Sequence, residues 1–169
     1  MIGKAGIKLR KAIGERPRRV PRPWSKMQAL RRLRVREIPF VADEDPVLLE
    51  AGKVRCAYSR RGEDGVPVIA IDYRGGVDWP SVLELVLHEI AHIGLEHVFI
   101  CGDCRRSRDF DEGKMEAAAW SVVMLCLNRL GRQTAHCYRV WWPSWMFREK
   151  TAREILRVVE CVVRAGRPA

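Results

Sequence analysis

A chain of 169 residues suits a single domain with a moderate hydrophobic core. Its content of 47% hydrophobic and 31% charged residues is typical of a soluble globular protein, and no apolar run reaches the ~20 residues of a membrane helix. The basic N-terminus lacks the apolar core of a signal peptide, so we expect a cytoplasmic protein whose six cysteines are reduced thiols.

The formal charge of +10 is concentrated at the N-terminus. Residues 1–36 contain 13 Lys/Arg and one acid, a net charge of +12, so the rest of the chain is slightly acidic. Because residues 1–23 also hold three prolines, we predict a basic, partly disordered arm that is dispensable for folding. One domain then covers residues 24–169. The arm either contacts nucleic acid through phosphate charge, without reading sequence, or remains a solvated tail.

Helical and strand patterns alternate directly after the arm. Ser25 is a candidate N-cap for a short helix, and "EIPFVA", residues 37–42, favours a strand. Residues 53–61 and 66–73 have strand-like patterns on either side of the turn "GEDG". This arrangement predicts a β-hairpin.

Three longer helices are predicted in the second half of the chain. They cover about residues 78–98, 112–130 and 144–165, and each is bounded by an N-cap or by a terminating glycine. Together, the elements predict an α+β fold in which a small, mainly antiparallel sheet packs on three or four helices.

The first long helix contains "LHEIAHIGLEH", residues 87–97. In a helix His88 and His92 lie about 40° apart around the axis and one turn along it, so both imidazoles are able to bind one ion. Glu89 lies beside them, within reach of a water on that ion. This H-E-x-x-H pattern is typical of zinc hydrolases. The helix is otherwise strongly apolar, and burying these side chains is costly unless a metal or hydrogen bonds satisfy them; a pair of satisfied core histidines is therefore the alternative.

A catalytic zinc ion bound by two histidines and a water needs one more protein ligand. His97 is nine residues from His88, so it faces away if the helix continues. It is also one residue too close to His92 for the metzincin motif. We therefore expect a carboxylate from the following helix.

Two stretches of the sequence resemble a known family. "HEIAHIGLEH" followed by "KMEAAAWSVVMLCLNRLG" resembles the ImmA/IrrE-type metallopeptidase domain, and "RLGRQTAHCYRVWW" is similar to the related ArdC-type peptidase domain. The resemblance covers about residues 66–142. It implies a zincin-like fold in which His88, His92 and Glu116 bind zinc and Glu89 is the general base.

The third ligand has two rivals in the sequence, Asp111 and Glu112, which precede Glu116 on the same helix. Small residues at 117–119 favour Glu116, because they allow a close approach of the two helices. The chain also departs from the family pattern, since Trp120 stands where Phe is common.

The resemblance implies a zinc-dependent peptidase that acts on a protein substrate. The implied target is a helix-turn-helix repressor of a phage or mobile element, bound as an extended peptide by addition to the strand at residues 66–73. The competing interpretation is a nucleic-acid-associated anti-restriction or scaffold protein with a zincin fold and little proteolysis.

A second metal site is suggested by "CGDC", which places Cys101 and Cys104 at the spacing of half a zinc site. No second pair with suitable spacing follows them. Two free loop thiols are the default interpretation.

Overall fold

The computed structural model describes residues 2–15, 21–39, 57–73, 79–97, 111–133 and 142–168. The elements along the chain are α1 (Lys4–Gly14), α2 (Lys26–Leu33), β1 (Arg36–Pro39), β2 (Ala57–Arg61), β3 (Pro67–Ile71), α3 (Trp79–Gly94), α4 (Glu112–Leu130), a 3-10 helix (Ser144–Phe147) and α5 (Glu149–Ala165). The predicted α+β class is confirmed, with more helix than strand. Among these helices, none combines the length and apolar character needed to cross a membrane.

The three strands form one sheet in the order β1-β3-β2. The predicted hairpin is confirmed, because β2 and β3 pair antiparallel with Ser59 opposite Ile69. The expectation of a mainly antiparallel sheet is wrong, because β1 pairs parallel with β3, with Ile38 opposite Ala70. Parallel pairing needs a long crossover, and the interval of chain between β1 and β3 allows one.

The core lies where α5 meets the other helices. Its buried residues recur at helical spacing, so one face of α5 is continuously apolar and packs against α1, α2, α3 and α4. These residues are Ala152, Ile155, Val158, Val159, Val162, Val163 and Ala165. The single helix predicted for residues 144–165 is divided instead into the 3-10 helix and α5, with extended backbone at Arg148 between them.

The N-terminal segment contains a helix where irregular structure was predicted. Helix α1 packs on α5 and the 3-10 helix, and its Leu9 is fully buried. The backbone N–H of Ala5 also donates to the carboxylate of Glu149 at 2.8 Å. The residues that α1 buries are Ala5, Gly6 and Leu9, two of them small, so the four basic residues dominated the sequence pattern. Removing α1 would uncover the surface that Leu9 covers, so we expect residues 1–23 to contribute to the stability of the fold.

A pair of glycine substitutions tests this docking. A Cβ added at Gly6 would lie 2.1 Å from the Phe147 carbonyl oxygen, whereas one added at Gly14 meets nothing within 4 Å. We expect Gly6→Ala to lower the free energy of unfolding by about 1–3 kcal/mol, because rigid backbone must move. Gly14→Ala should be neutral or stabilising by up to about 1 kcal/mol, since alanine favours helix. Thermal or urea unfolding measures both, and equal stabilities would show that α1 is not docked.

Candidate metal centre

Helix α3 carries the polar side chains His88, Glu89 and His92 among mostly apolar residues. Its buried apolar residues face the sheet, α4 and α5. Among them His88 is only 7% exposed and Glu89 only 6% exposed. Polar groups buried to this extent need partners, so their surroundings define what the site is able to do.

The side chains of His88, His92 and Glu116 converge on one point. The Nε2 atoms of the two histidines are 3.0 Å apart. One carboxylate oxygen of Glu116 lies 3.2 Å from His88 Nε2, and the other lies 3.2 Å from His92 Nε2. Among the described residues these three form the cluster of potential metal ligands. The structure therefore brings together all three residues predicted as ligands.

A single cation fits this arrangement better than protons do. If both Nε2 atoms carried protons to donate to Glu116, two N–H groups would face each other across 3.0 Å. Protons therefore cannot satisfy all three contacts at once, whereas one ion accepts all three lone pairs. Zinc ligands at bond lengths of ~2.0–2.1 Å stand at the corners of a tetrahedron with edges of roughly 3.3–3.4 Å, close to the observed spacings. The nitrogen, nitrogen and oxygen donors are also a set that zinc accepts.

The close packing of α4 on α3 places Glu116 next to the two histidines. Ala118 and Ala119 are buried, consistent with small residues allowing α3 and α4 to approach. The rival Asp111 caps the start of α4 instead, accepting a hydrogen bond from the Lys114 backbone N–H at 3.0 Å. The side chain of Glu112, the other rival, lies outside the described part of the structure.

The carboxylate of Glu116 is held in its ionised form. Burial alone would raise its pKa, but the adjacent His88 and His92 act more strongly in the opposite direction, so its pKa lies well below the ordinary range of glutamate. An ionised carboxylate is the form that binds a metal ion.

Glu89 lies beside the cluster and is not one of its members. Burial raises the pKa of its carboxyl, while His88 and a hydrogen bond with Ser59 act in the opposite direction. Ser59 belongs to β2, so the hairpin contacts the side chain predicted as the general base. A raised pKa brings a carboxylate closer to the operating pH of a general base.

His97 lies beside the site, and the prediction that it faces away is wrong. The helix ends at Gly94, and Glu96 adopts a left-handed conformation with φ of 60°. The N–H of His97 then donates to the His92 carbonyl at 2.8 Å, which turns the chain back over the helix end. As a result, Nδ1 of His97 lies 3.2 Å from Nδ1 of His92. Burial lowers the pKa of His97 to about 4, so the imidazole is neutral near pH 7.

The ring of His88 has a different environment. Trp120 from α4 packs on it with ring centroids 4.4 Å apart. Its Nδ1 is buried and has no hydrogen-bond partner among the described residues. Of the two motif histidines, only His92 therefore has a hydrogen-bond partner for its Nδ1 among the described residues.

Sequence reasoning missed the contacts of Ser59 and His97. No signal linked Ser59 to Glu89, because strand β2 and helix α3 are distant in sequence. A signal for His97 existed in Gly94, since a glycine near the end of a helical pattern often marks its termination. Because the helix was predicted to extend to residue 98, His97 was assigned to the face opposite His88.

The remaining cysteine predictions concern mostly undescribed residues. The predicted CxxC pair, Cys101 and Cys104, lies outside the described residues, so the second metal site stays a prediction. Cys126 and Cys161 are free thiols, the first buried and the second exposed.

His88, His92 and Glu116 could hold a metal ion, and Glu89 lies beside them. Comparison of the chain with models of known protein families, with curated proteins and with solved structures gave no match. The resemblance to ImmA/IrrE-type domains therefore rests on the H-E-x-x-H motif and on the residues around Glu116.

Proposed function

We propose that this protein is a zinc-dependent metallopeptidase with a zincin-like fold. The observation that supports this most directly is the convergence of two imidazoles and one carboxylate within 4.8 Å, next to a buried glutamate. Each polar residue of the H-E-x-x-H motif thereby has a role: His88 and His92 would hold the metal together with Glu116, and Glu89 would accept and return the proton.

The chain supplies positioning and proton transfer. When bound, zinc supplies Lewis acidity toward a water molecule and toward the scissile carbonyl. Glu89 takes a proton from the attacking water and passes it to the leaving amine. Burial of Glu89 excludes bulk water from that transfer and raises the affinity of its carboxylate for the proton. Ser59 holds this carboxylate by a hydrogen bond from the neighbouring strand.

Strand β2 is the better candidate for peptide binding. The strand at residues 66–73 was expected to accept the substrate, but β3 is flanked by β1 and β2 and has no open edge. In the described sheet β2 is an edge strand, packs against α3, and carries Ser59. A substrate added to β2 by main-chain hydrogen bonds would run beside the active helix.

The proposed substrate class is a protein, with a helix-turn-helix repressor of a phage or mobile element as the target that the family resemblance implies. The nucleic-acid-associated alternative is favoured by one feature, the exposed basic side chains of α1. These are Lys4, Lys8, Arg10 and Lys11. Phosphate contacts through this helix would weaken steeply with salt and would be compatible with proteolysis elsewhere.

Cleavage of candidate targets tests the peptidase proposal. Purified protein is incubated with helix-turn-helix proteins encoded beside it, and fragments are identified by mass spectrometry. We expect specific cleavage by zinc-loaded protein, loss of cleavage after chelation, and recovery on adding zinc. Cleavage that survives complete metal removal, or zinc-loaded protein that leaves every such candidate intact, would argue against this function.

A further inference from the structure

His92, one of the proposed metal ligands, also contacts a third histidine, His97. The Nδ1 atoms of His92 and His97 are 3.2 Å apart, and the two rings meet edge to face with centroids separated by 5.3 Å. Nothing in the H-E-x-x-H motif requires this contact, because His97 lies beyond it.

We propose that His97 is a positioning residue whose Nδ1 accepts a hydrogen bond from the Nδ1–H of His92. This inference deepens the proposed function and rests on it. The hydrogen bond selects the His92 tautomer that has a lone pair on Nε2, the nitrogen that faces Glu116 and His88. It also fixes the rotation of the ring. An outer partner of this kind orients a metal-binding histidine and raises its basicity.

The two nitrogens of His92 face different neighbours, which separates their roles. Nε2 lies 3.2 Å from Glu116, inside the cluster, while Nδ1 lies on the other side of the ring, 3.2 Å from His97. His97 therefore approaches the back of a ligand and is not itself one of the three clustered donors.

The backbone places His97 independently of its side chain. The left-handed residue Glu96 and the bond from the His97 N–H to the His92 carbonyl, at 2.8 Å, form the helix terminus. At the start of the same chain reversal, the guanidinium of Arg157 donates to the Gly94 carbonyl at 2.8 Å. Since these contacts use main-chain atoms of the turn, replacing the imidazole should leave the turn in place.

His88 provides an internal contrast. Its Nδ1 has no described hydrogen-bond partner, and its ring is held by packing on Trp120. Of the two motif histidines, His92 is thus the one whose tautomer is set by a neighbouring side chain among the described residues.

Three variants at one position test the inference. His97→Ala removes the acceptor, His97→Leu removes it while retaining bulk, and His97→Asn places an amide oxygen near the position of Nδ1. Zinc affinity is measured in full-length protein by competition with a chelating dye. We expect the Ala and Leu variants to bind zinc about 10–100-fold more weakly than the wild type. The Asn variant should stay close to the wild type, because it restores the acceptor.

Thermal unfolding of the metal-free proteins separates positioning from folding, and unchanged unfolding midpoints are expected. Wild-type affinity in both His97→Ala and His97→Leu would overturn the inference, as would failure of His97→Asn to restore binding in a folded protein. A wild-type protein that binds no zinc would instead overturn the proposed metal centre, and the role of His97 with it.

Discussion

Glu89→Gln should lower peptide cleavage by roughly 100-fold or more while zinc content stays at the wild-type level. Glutamine preserves the size of the side chain and part of its hydrogen bonding with Ser59, but it cannot accept a proton from the attacking water. Because Glu89 is not among the clustered ligand atoms, the metal should still bind. The measurements are the initial rate of target cleavage and the zinc content of the same sample.

Glu96→Gln is the matched control for this variant. Glu96 follows the same helix and is exposed, so its loss of charge should leave the cleavage rate unchanged. A target cut equally fast by wild type and Glu89→Gln would rule out Glu89 as the general base. If every function of the protein survived in Glu89→Gln, the scaffold interpretation would be favoured over the enzyme.

Glu116→Ala and His88→Ala should each remove one of the three converging ligands. We expect zinc affinity to fall by more than the ~10–100-fold that is typical of losing an outer partner of a ligand. Binding of metal to the folded protein stabilises it, so the increase in unfolding temperature on adding zinc should also disappear in both variants. Equilibrium dialysis gives the stoichiometry, expected as one zinc per wild-type chain.

Asp111→Asn is the control for the identity of the third ligand. Asparagine is as good an N-cap as aspartate, so α4 should form normally and zinc should still bind. Full zinc binding by His88→Ala would place the metal elsewhere. Zinc binding retained by Glu116→Ala but lost by Asp111→Asn would transfer the third ligand to Asp111.

The relation between His88, Glu89 and His92 was predictable because it is local. Helical geometry alone places residues i and i+4 on one face, and the apolar residues around them predict the helix. The β2–β3 hairpin was predictable for the same reason, since a short turn joins two strand-like segments. These are the features that the sequence by itself determined.

The sequence narrowed the choice of Glu116 without deciding it. Three acidic residues near the start of α4 were candidates. Asp111 lies at the cap, whereas Glu116 lies one turn further along, where the packing of α4 on α3 brings its carboxylate to both histidines. The choice depended on the crossing of two helices, which residue spacing within one helix does not encode.

Contacts between distant elements were decided only by the tertiary structure. The direction of β1 against β3, the docking of α1 on α5 and the hydrogen bond between Ser59 and Glu89 all join segments separated along the chain. His97 shows the same limit at short range, because one left-handed residue after α3 reversed its predicted direction. Local periodicity specifies which face of an element is apolar, but the partner of that face depends on packing of the whole core.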